Sequence, residues 1–183
     1  MQRGIKKEFQ KQQNEALGNL RKWEYGPLVE NEEVKGILPG SKDLLNWGRV
    51  KDRIIGAFRK DYEGVATDFG QVQLDSLGTD LKFDLRSLRD AIGQMEIRLA
   101  NDINQTTQYR IEKTIKDILV EATEDNWTMD EYKQQIYEQI SSVFNVRKSD
   151  YETWRIAQNE MHKAATMAQY EAMKQAGVKF KRW

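Results

Sequence analysis

The sequence predicts an all-α protein, an elongated multi-helix bundle with long amphipathic helices. Its two prolines are Pro27 and Pro39, so none interrupts residues 41–183. Apolar side chains recur at every third or fourth position over most of that stretch, which is the period of a helix with one buried face. The mean hydropathy of −0.80 fits long, thin helices with much surface per residue.

The N-terminal part predicts two helices and a loop. The first helix is expected over residues 3–23, with Gln12 interrupting its apolar stripe. The loop lies between Pro27 and Pro39 and is rich in glycine. A second helix is expected to begin near Ser41, a favourable N-cap. Over residues 63–83 glycines weaken any long helix, and a short helix could pack through Val72, Leu74 and Leu77. The predicted buried side chains are Ile5, Phe9, Ala16, Leu20 and Trp23, then Leu44, Trp47, Ile54, Ile55, Phe58 and Tyr62.

The central region predicts a helix that starts after Asp84 as its N-cap. The periodic pattern either continues past Ile103 or restarts with Thr106 or Thr107 as a new cap. Without a break the helix would be about forty residues long, which favours an extended element. Its apolar positions are Leu85, Leu88, Ile92, Met95, Leu99, Ile111, Ile115, Ile118, Leu119 and Ala122.

Two later helices start with a capping-box pattern. Thr128 is followed by Glu131, and Ser149 by Glu152, so hydroxyl and carboxylate can each bind an unpaired backbone N–H. The last helix is expected to end near Ala176, with Gly177 after it. Alternation from Val178 onward is compatible with a short β-strand at the C-terminus. The predicted inner face of that helix is Trp154, Ala157, Met161, Ala164, Ala165, Ala168 and Ala172.

These elements suggest a division into residues 1–80, an N-terminal helical region, and residues 81–183, a second helical domain. With 183 residues the chain can bury a core of ordinary size.

Composition argues against an enzyme and predicts neither a cofactor nor a metal. The chain has no cysteine and one histidine, His162, so a metal site made of several imidazoles or thiolates is excluded. A Ser-His-Asp arrangement would have to use His162, and no residue near it in the sequence supports one. No glycine-rich phosphate loop occurs. The 29 basic residues balance the 29 acidic ones, and no apolar run is long enough to span a bilayer. Membrane association is not expected either, because the apolar face of the first helix is narrow and broken at Gln12.

The C-terminal segment interleaves basic and aromatic residues, a pattern that can pair with phosphates and stack on bases. The alternative is an edge strand with solvated lysines. The candidate contacts with DNA or a protein partner are Lys174, Lys179, Phe180, Lys181 and Arg182.

Residues 155–183 resemble the signature helix of the phage head morphogenesis family, the Mu protein F-like minor head proteins. The order of the helices before it extends the resemblance over about residues 80–183, so residues 81–183 are expected to form a head-morphogenesis-like helical domain. Family members show an I-A-R-T-E-like element, an alanine-rich helix and an A-G-V-x-x-x-x-W ending. Here Gln158 and Asn159 stand where the family usually has Arg and Thr. The matching positions are Ile156, Ala157, Glu160, Gly177 and Trp183.

The resemblance implies a minor head (capsid) protein that binds the portal protein and other head proteins at the portal vertex. It would reside in the phage head and be assembled in the bacterial cytoplasm. Such contacts often rely on aromatic anchors: Trp23, Trp47, Trp127 and Trp183 are candidates if exposed, although burial is expected for Trp47 and Trp154. Two alternatives stay open: a DNA-contacting head protein that assists packaging or ejection, and a generic helical interaction domain.

Overall fold

The computed structural model describes residues 1–22, 40–125 and 127–179. This part of the chain is helical and contains no strand, which confirms the all-α class. The predicted loop between Pro27 and Pro39 lies outside the described residues, as do Trp23 and Phe180–Trp183. The predicted C-terminal strand is therefore described only at Val178 and Lys179, which are not in a strand. The helices are α1 (Gln2–Lys22), α2 (Ser41–Leu44), α3 (Trp47–Ser76), α4 (Arg89–Glu124), α5 (Met129–Arg147) and α6 (Asp150–Gln175), with a 3₁₀ turn at Leu85–Leu88.

Gln12 interrupts the apolar stripe of α1 as predicted, but it does so from within the buried face. Gln12 is fully buried, and so are its polar neighbours Glu8 and Gln13. Glu8 pairs with Arg53 of α3 at 2.9 Å, and the Gln13 amide donates to the Ser141 hydroxyl of α5 at 3.0 Å. Neighbouring helices supply the partners of Glu8 and Gln13, whereas the buried Gln12 amide forms no hydrogen bond with a described residue.

The second long helix begins later than predicted. Ser41 opens only the four-residue α2, and its hydroxyl donates to the Glu112 carboxylate of α4 at 2.5 Å instead of capping a long helix. Asn46 is the N-cap of α3, where its side-chain oxygen accepts from the backbone N–H of Arg49 at 3.0 Å. Asn and Ser are comparable as N-caps, so tertiary contacts decide between them.

Helix α3 passes through the region that the sequence left undefined. Gly70 is buried, and a Cβ at this position would lie 2.5 Å from the ring of Phe83. The glycine therefore allows the aromatic ring to pack directly on the helix backbone. The helix ends before Gly78, whose φ of +67° is the left-handed conformation that favours glycine after a helix.

Helix α4 is continuous through Thr106 and Thr107, so the uninterrupted alternative is the one observed. Its 36 residues span about 54 Å. Asp84 acts as the N-cap of the preceding 3₁₀ turn, and the α-helix itself starts at Arg89. The Arg86 guanidinium and backbone N–H both donate to Asp84, which lowers the pKa of that carboxyl to about 2.

The two predicted capping boxes have different outcomes. The Thr128 box is complete: the Glu131 carboxylate accepts from the Thr128 backbone N–H at 2.8 Å, and the Thr128 hydroxyl accepts from the Glu131 N–H. Ser149 also caps its helix, accepting from the Glu152 N–H at 3.2 Å. However, the Glu152 carboxylate pairs with the buried Arg147 instead of returning to Ser149. The end of α6 is confirmed, with Ala176 as C-cap and Gly177 at φ +74°.

The long helices form a ring around one core. Helix α3 packs between α6 and α4, α4 packs on α5, α5 on α1, and α1 on α6. The same hydrophobic core receives Phe9, Phe58, Ile111, Phe144 and Ala164, so both proposed regions contribute to it. The boundary near residue 80 stays a prediction. Among the described helices, none is both long and apolar enough to cross a bilayer.

Candidate functional site on helix α6

Helix α6 carries most of the residues that the family resemblance singles out, and one of its faces is packed against α3. The alanines predicted for this face are buried, which confirms a small-residue interface. Small side chains let two helix backbones approach closely. The buried alanines are Ala157, Ala164, Ala165, Ala168 and Ala172.

Glu160 lies inside this interface. Its carboxylate accepts from the Tyr62 hydroxyl of α3 at 2.6 Å and from the Lys163 ammonium at 2.6 Å. Burial, together with the hydrogen bond to Glu160, raises the pKa of the Tyr62 phenol well above its ordinary value. The fixed carboxylate joins α6 to α3 and faces away from solvent, so in this structure it acts as a packing residue.

A second buried ion cluster joins α5 to α6. Glu152 pairs with Arg147, and Arg110 of α4 and Arg155 lie 3.5 and 3.3 Å from the same carboxylate group. Burial lowers the pKa of the Arg147 guanidinium to about 10, although the charge of Glu152 opposes this change. The guanidinium also lies 4.5 Å from the centre of the Phe9 ring of α1. The cluster thus fixes the tight connection between the two helices.

Four of the five family-motif residues are described, and each of them packs in the interior or ends a helix. Ile156 is half-buried, Ala157 and Glu160 are buried, and Gly177 ends the helix. Trp183 lies outside the described residues. The structure thus brings Ala157 and Glu160 together in the α3–α6 interface and offers none of the buried positions directly to a partner.

The basic candidates are only partly described. Lys174 pairs with Glu171 at 3.3 Å and lies 4.6 Å from the centre of the Tyr170 ring. Lys179 is exposed after the turn at Gly177. Phe180, Lys181 and Arg182 lie outside the described residues.

The expected burial of Trp154 is wrong. Its side chain is 51% exposed, and Tyr151, one helical turn earlier, is 73% exposed. Trp47 is half-buried with its indole N–H donating to the Ser41 carbonyl at 3.1 Å, and Trp127 is also half-buried. Side chains three positions apart on a helix are neighbours, so Tyr151 and Trp154 lie on the same exposed side of α6. We call these two residues the aromatic pair; the sequence analysis missed it.

Within residues 1–22, 40–125 and 127–179, no cluster of three or more His, Asp or Glu side chains is placed to hold a metal ion. His162 is exposed on α6. An open depression of about 540 Å³ lies beside the α2–α3 junction, with Glu15, Asn19, Trp47 and Gln108 in its wall.

Comparison of the chain with known protein families, with curated proteins and with solved structures gives no match in any of the three.

Proposed function

We propose that the protein is a bacteriophage minor head protein that acts in head morphogenesis by binding the portal protein, without catalysis. The observation that carries the proposal is the resemblance of residues 155–183 to the head morphogenesis signature. The exposed aromatic pair supports it, because aromatic side chains are enriched among the residues that contribute most to protein–protein binding. The protein would lie in the phage head after assembly in the host cytoplasm.

The proposal predicts that Trp154→Ala weakens binding to the portal protein of the same genome by roughly 30-fold, the effect of losing one central aromatic anchor. Sedimentation velocity of the mixed proteins measures the complex and its stoichiometry. Tyr109→Ala is the matched control, since Tyr109 is a 66% exposed aromatic on α4. If wild-type protein and portal sediment separately, the portal assignment is wrong. An equal loss in both variants would place the contact elsewhere than the aromatic pair.

A second candidate function, contact with DNA, is favoured by Lys179, which is exposed at the start of the basic C-terminal segment. Binding through about four phosphates should weaken with salt at a log–log slope of about −3 to −4. Lys179→Ala combined with Lys181→Ala should reduce the slope by about 2 units, whereas Lys113→Ala, an exposed lysine of α4, should not if the segment alone binds. Fluorescence anisotropy with duplex DNA measures both. A slope near zero for the wild-type chain would contradict this function.

A generic helical interaction domain remains the third candidate. The genes next to the one that encodes this chain distinguish this candidate from the other two. Portal, terminase and capsid genes there would contradict a role outside phage assembly.

A further inference from the structure

Three arginines share one carboxylate where α4, α5 and α6 meet. The Glu152 carboxylate accepts from the Arg147 guanidinium, and the guanidiniums of Arg110 and Arg155 lie 3.5 and 3.3 Å from it. No second acid among the described residues forms an ion pair with any of the three. Three positive charges and one negative charge therefore leave two positive charges in excess. We call these four residues the arginine cluster.

The arginine cluster also has few hydrogen-bond acceptors. Each guanidinium carries five N–H donors, yet in the described part of the chain Glu152 is the only residue that accepts from Arg147 or Arg155. The Nε–H of Arg147 is buried and has no acceptor among those residues. Burial and the charges of Arg110 and Arg155 lower the pKa of the Arg147 guanidinium, although Glu152 opposes the change. A further anion beside the cluster would therefore stabilise it.

An open depression of about 260 Å³ lies between α4 and α5, with Arg110 in its wall. The side chain of Arg110 is 32% exposed, so this residue belongs both to the arginine cluster and to the surface of the depression. The residues of the α4 wall are spaced by three or four positions and share one helix face. We call this feature the α4–α5 depression; its walls are Arg110, Lys113, Thr114 and Asp117 of α4 and Gln139, Ser142, Val143 and Val146 of α5.

The α4–α5 depression contains donors that have no partner within the described ranges. Lys113 forms no ion pair there, although Asp117 follows it by four positions on α4. The hydroxyls of Thr114 and Ser142 likewise form no hydrogen bond with a described residue. Adding the charges of Lys113 and Asp117 to those of the arginine cluster leaves the excess at two positive charges. Arg110 and Lys113 thus place two cations on one wall, and Ser142 places a hydroxyl on the other.

Charge and the number of acceptor atoms favour a phosphate dianion over other anions as the ligand. A carboxylate brings one negative charge and two oxygens, whereas a phosphomonoester brings about 1.5 to 2 negative charges and three acceptor oxygens. The phosphodiester of a nucleic-acid backbone carries a single charge, so it matches the excess less well.

We propose that the α4–α5 depression binds a phosphate dianion, either inorganic phosphate or the terminal phosphate of a small phosphomonoester, through Arg110, Lys113 and Ser142. Arginine binds phosphate oxygens with two parallel N–H donors, and lysine adds a point charge. Arg147 and Glu152 contribute indirectly, because their ion pair holds the Arg110 guanidinium beside the depression. The inference does not depend on the portal assignment.

Isothermal titration calorimetry of the full chain with inorganic phosphate tests the proposal, at about pH 8, where phosphate is mostly a dianion. Two or three charge-assisted hydrogen bonds give an expected dissociation constant of about 1 mM or below. Acetate at the same ionic strength should bind at least roughly tenfold more weakly, because it brings fewer acceptors and less charge. An absence of phosphate binding at about 10 mM, or equal affinities for the two anions, would overturn the proposal.

A second titration with a nucleoside monophosphate distinguishes the two sources of the phosphate group. Tighter binding than that of inorganic phosphate would identify a phosphomonoester as the ligand, and weaker binding would identify the free ion. Duplex DNA that binds at the depression more tightly than either small ligand would contradict the preference for a dianion.

Variants locate the binding site. Arg110→Ala should weaken phosphate binding roughly tenfold or more, and Lys113→Ala roughly threefold or more, because each removes a cation from the depression. Lys116→Ala is the matched control: Lys116 is an exposed lysine of α4, three positions from Lys113 and outside the walls of the depression, and its loss should leave binding unchanged. Both lysines are exposed, so these two variants are expected to fold like the wild-type chain. Equal losses in the two lysine variants, or an Arg110→Ala chain that binds phosphate as tightly as wild type, would contradict the site.

Discussion

Glu152→Ala is expected to lower the free energy of unfolding by about 3 to 5 kcal/mol, the usual effect of removing one member of a buried ion pair. Glu152 is 6% exposed and Arg147 is 2% exposed. Without the carboxylate, Arg147 and Arg110 would both lose the acidic partner with which they are paired among the described residues. Chemical denaturation followed by circular dichroism measures the loss.

The matched control for this prediction is Arg155→Ala. Arg155 binds the same carboxylate at 3.3 Å but is 52% exposed at its side chain. Solvent-exposed ion pairs contribute little, so a change below about 1 kcal/mol is expected. The double variant Arg147→Met, Glu152→Leu should recover much of the stability, because it removes both buried charges together. A Glu152→Ala variant as stable as wild type would show that water reaches Arg147.

Local signals predicted those parts of the fold that depend on a few consecutive residues. Thr128 and Glu131 satisfy each other across one helical turn, and Gly177 ends α6 because glycine readily adopts a positive φ. Both outcomes depend on groups within the same turn. The alanine face of α6 was also predictable, because five small residues at helical spacing select a buried side before the neighbour is known.

Predictions that depend on the choice of neighbour were less successful. Glu152 has the position of a capping-box residue, yet it pairs with Arg147, whose burial was not evident from sequence. Similarly, the Ser41 hydroxyl donates a hydrogen bond to Glu112, more than seventy positions later, and Asn46 is the N-cap of α3 instead. In both cases a partner in another helix, five positions away for Glu152 and 71 positions away for Ser41, replaces the partner expected within the same helical turn.

The candidate site shows the same limit. Trp154 and Ala172 are eighteen residues apart, which is five helical turns, so they point in nearly the same direction from α6. Ala172 is fully buried near the 3₁₀ turn that Gln175 binds, whereas Trp154 is 51% exposed near the start of the helix. Helical periodicity gives the direction of a side chain but not how far the neighbouring element extends. For that reason the sequence predicted Trp154 as core, and the structure places it on the surface.

The burial of the alanine face leads to a second large effect: Ala168→Leu should lower the free energy of unfolding by about 1 to 3 kcal/mol, the usual cost of adding methylene groups to a packed core. Ala168 is fully buried. Helix α6 is held at two points on either side of it: Glu160 accepts a hydrogen bond from Tyr62 of α3, and Gln175 accepts one from the backbone N–H of Asp84. The larger side chain therefore cannot be relieved easily by sliding α6 along α3.

Thr166→Leu is the control for this substitution. Thr166 is exposed on the opposite side of the same helix, so leucine there should change stability by no more than about 0.5 kcal/mol. Thermal and chemical denaturation of both variants measure the difference. If Ala168→Leu were as stable as Thr166→Leu, α6 would have to lie farther from α3 than the buried alanines indicate. Open space would then surround Glu160, and the motif positions Ala157 and Glu160 would be accessible to a partner instead of serving as packing residues.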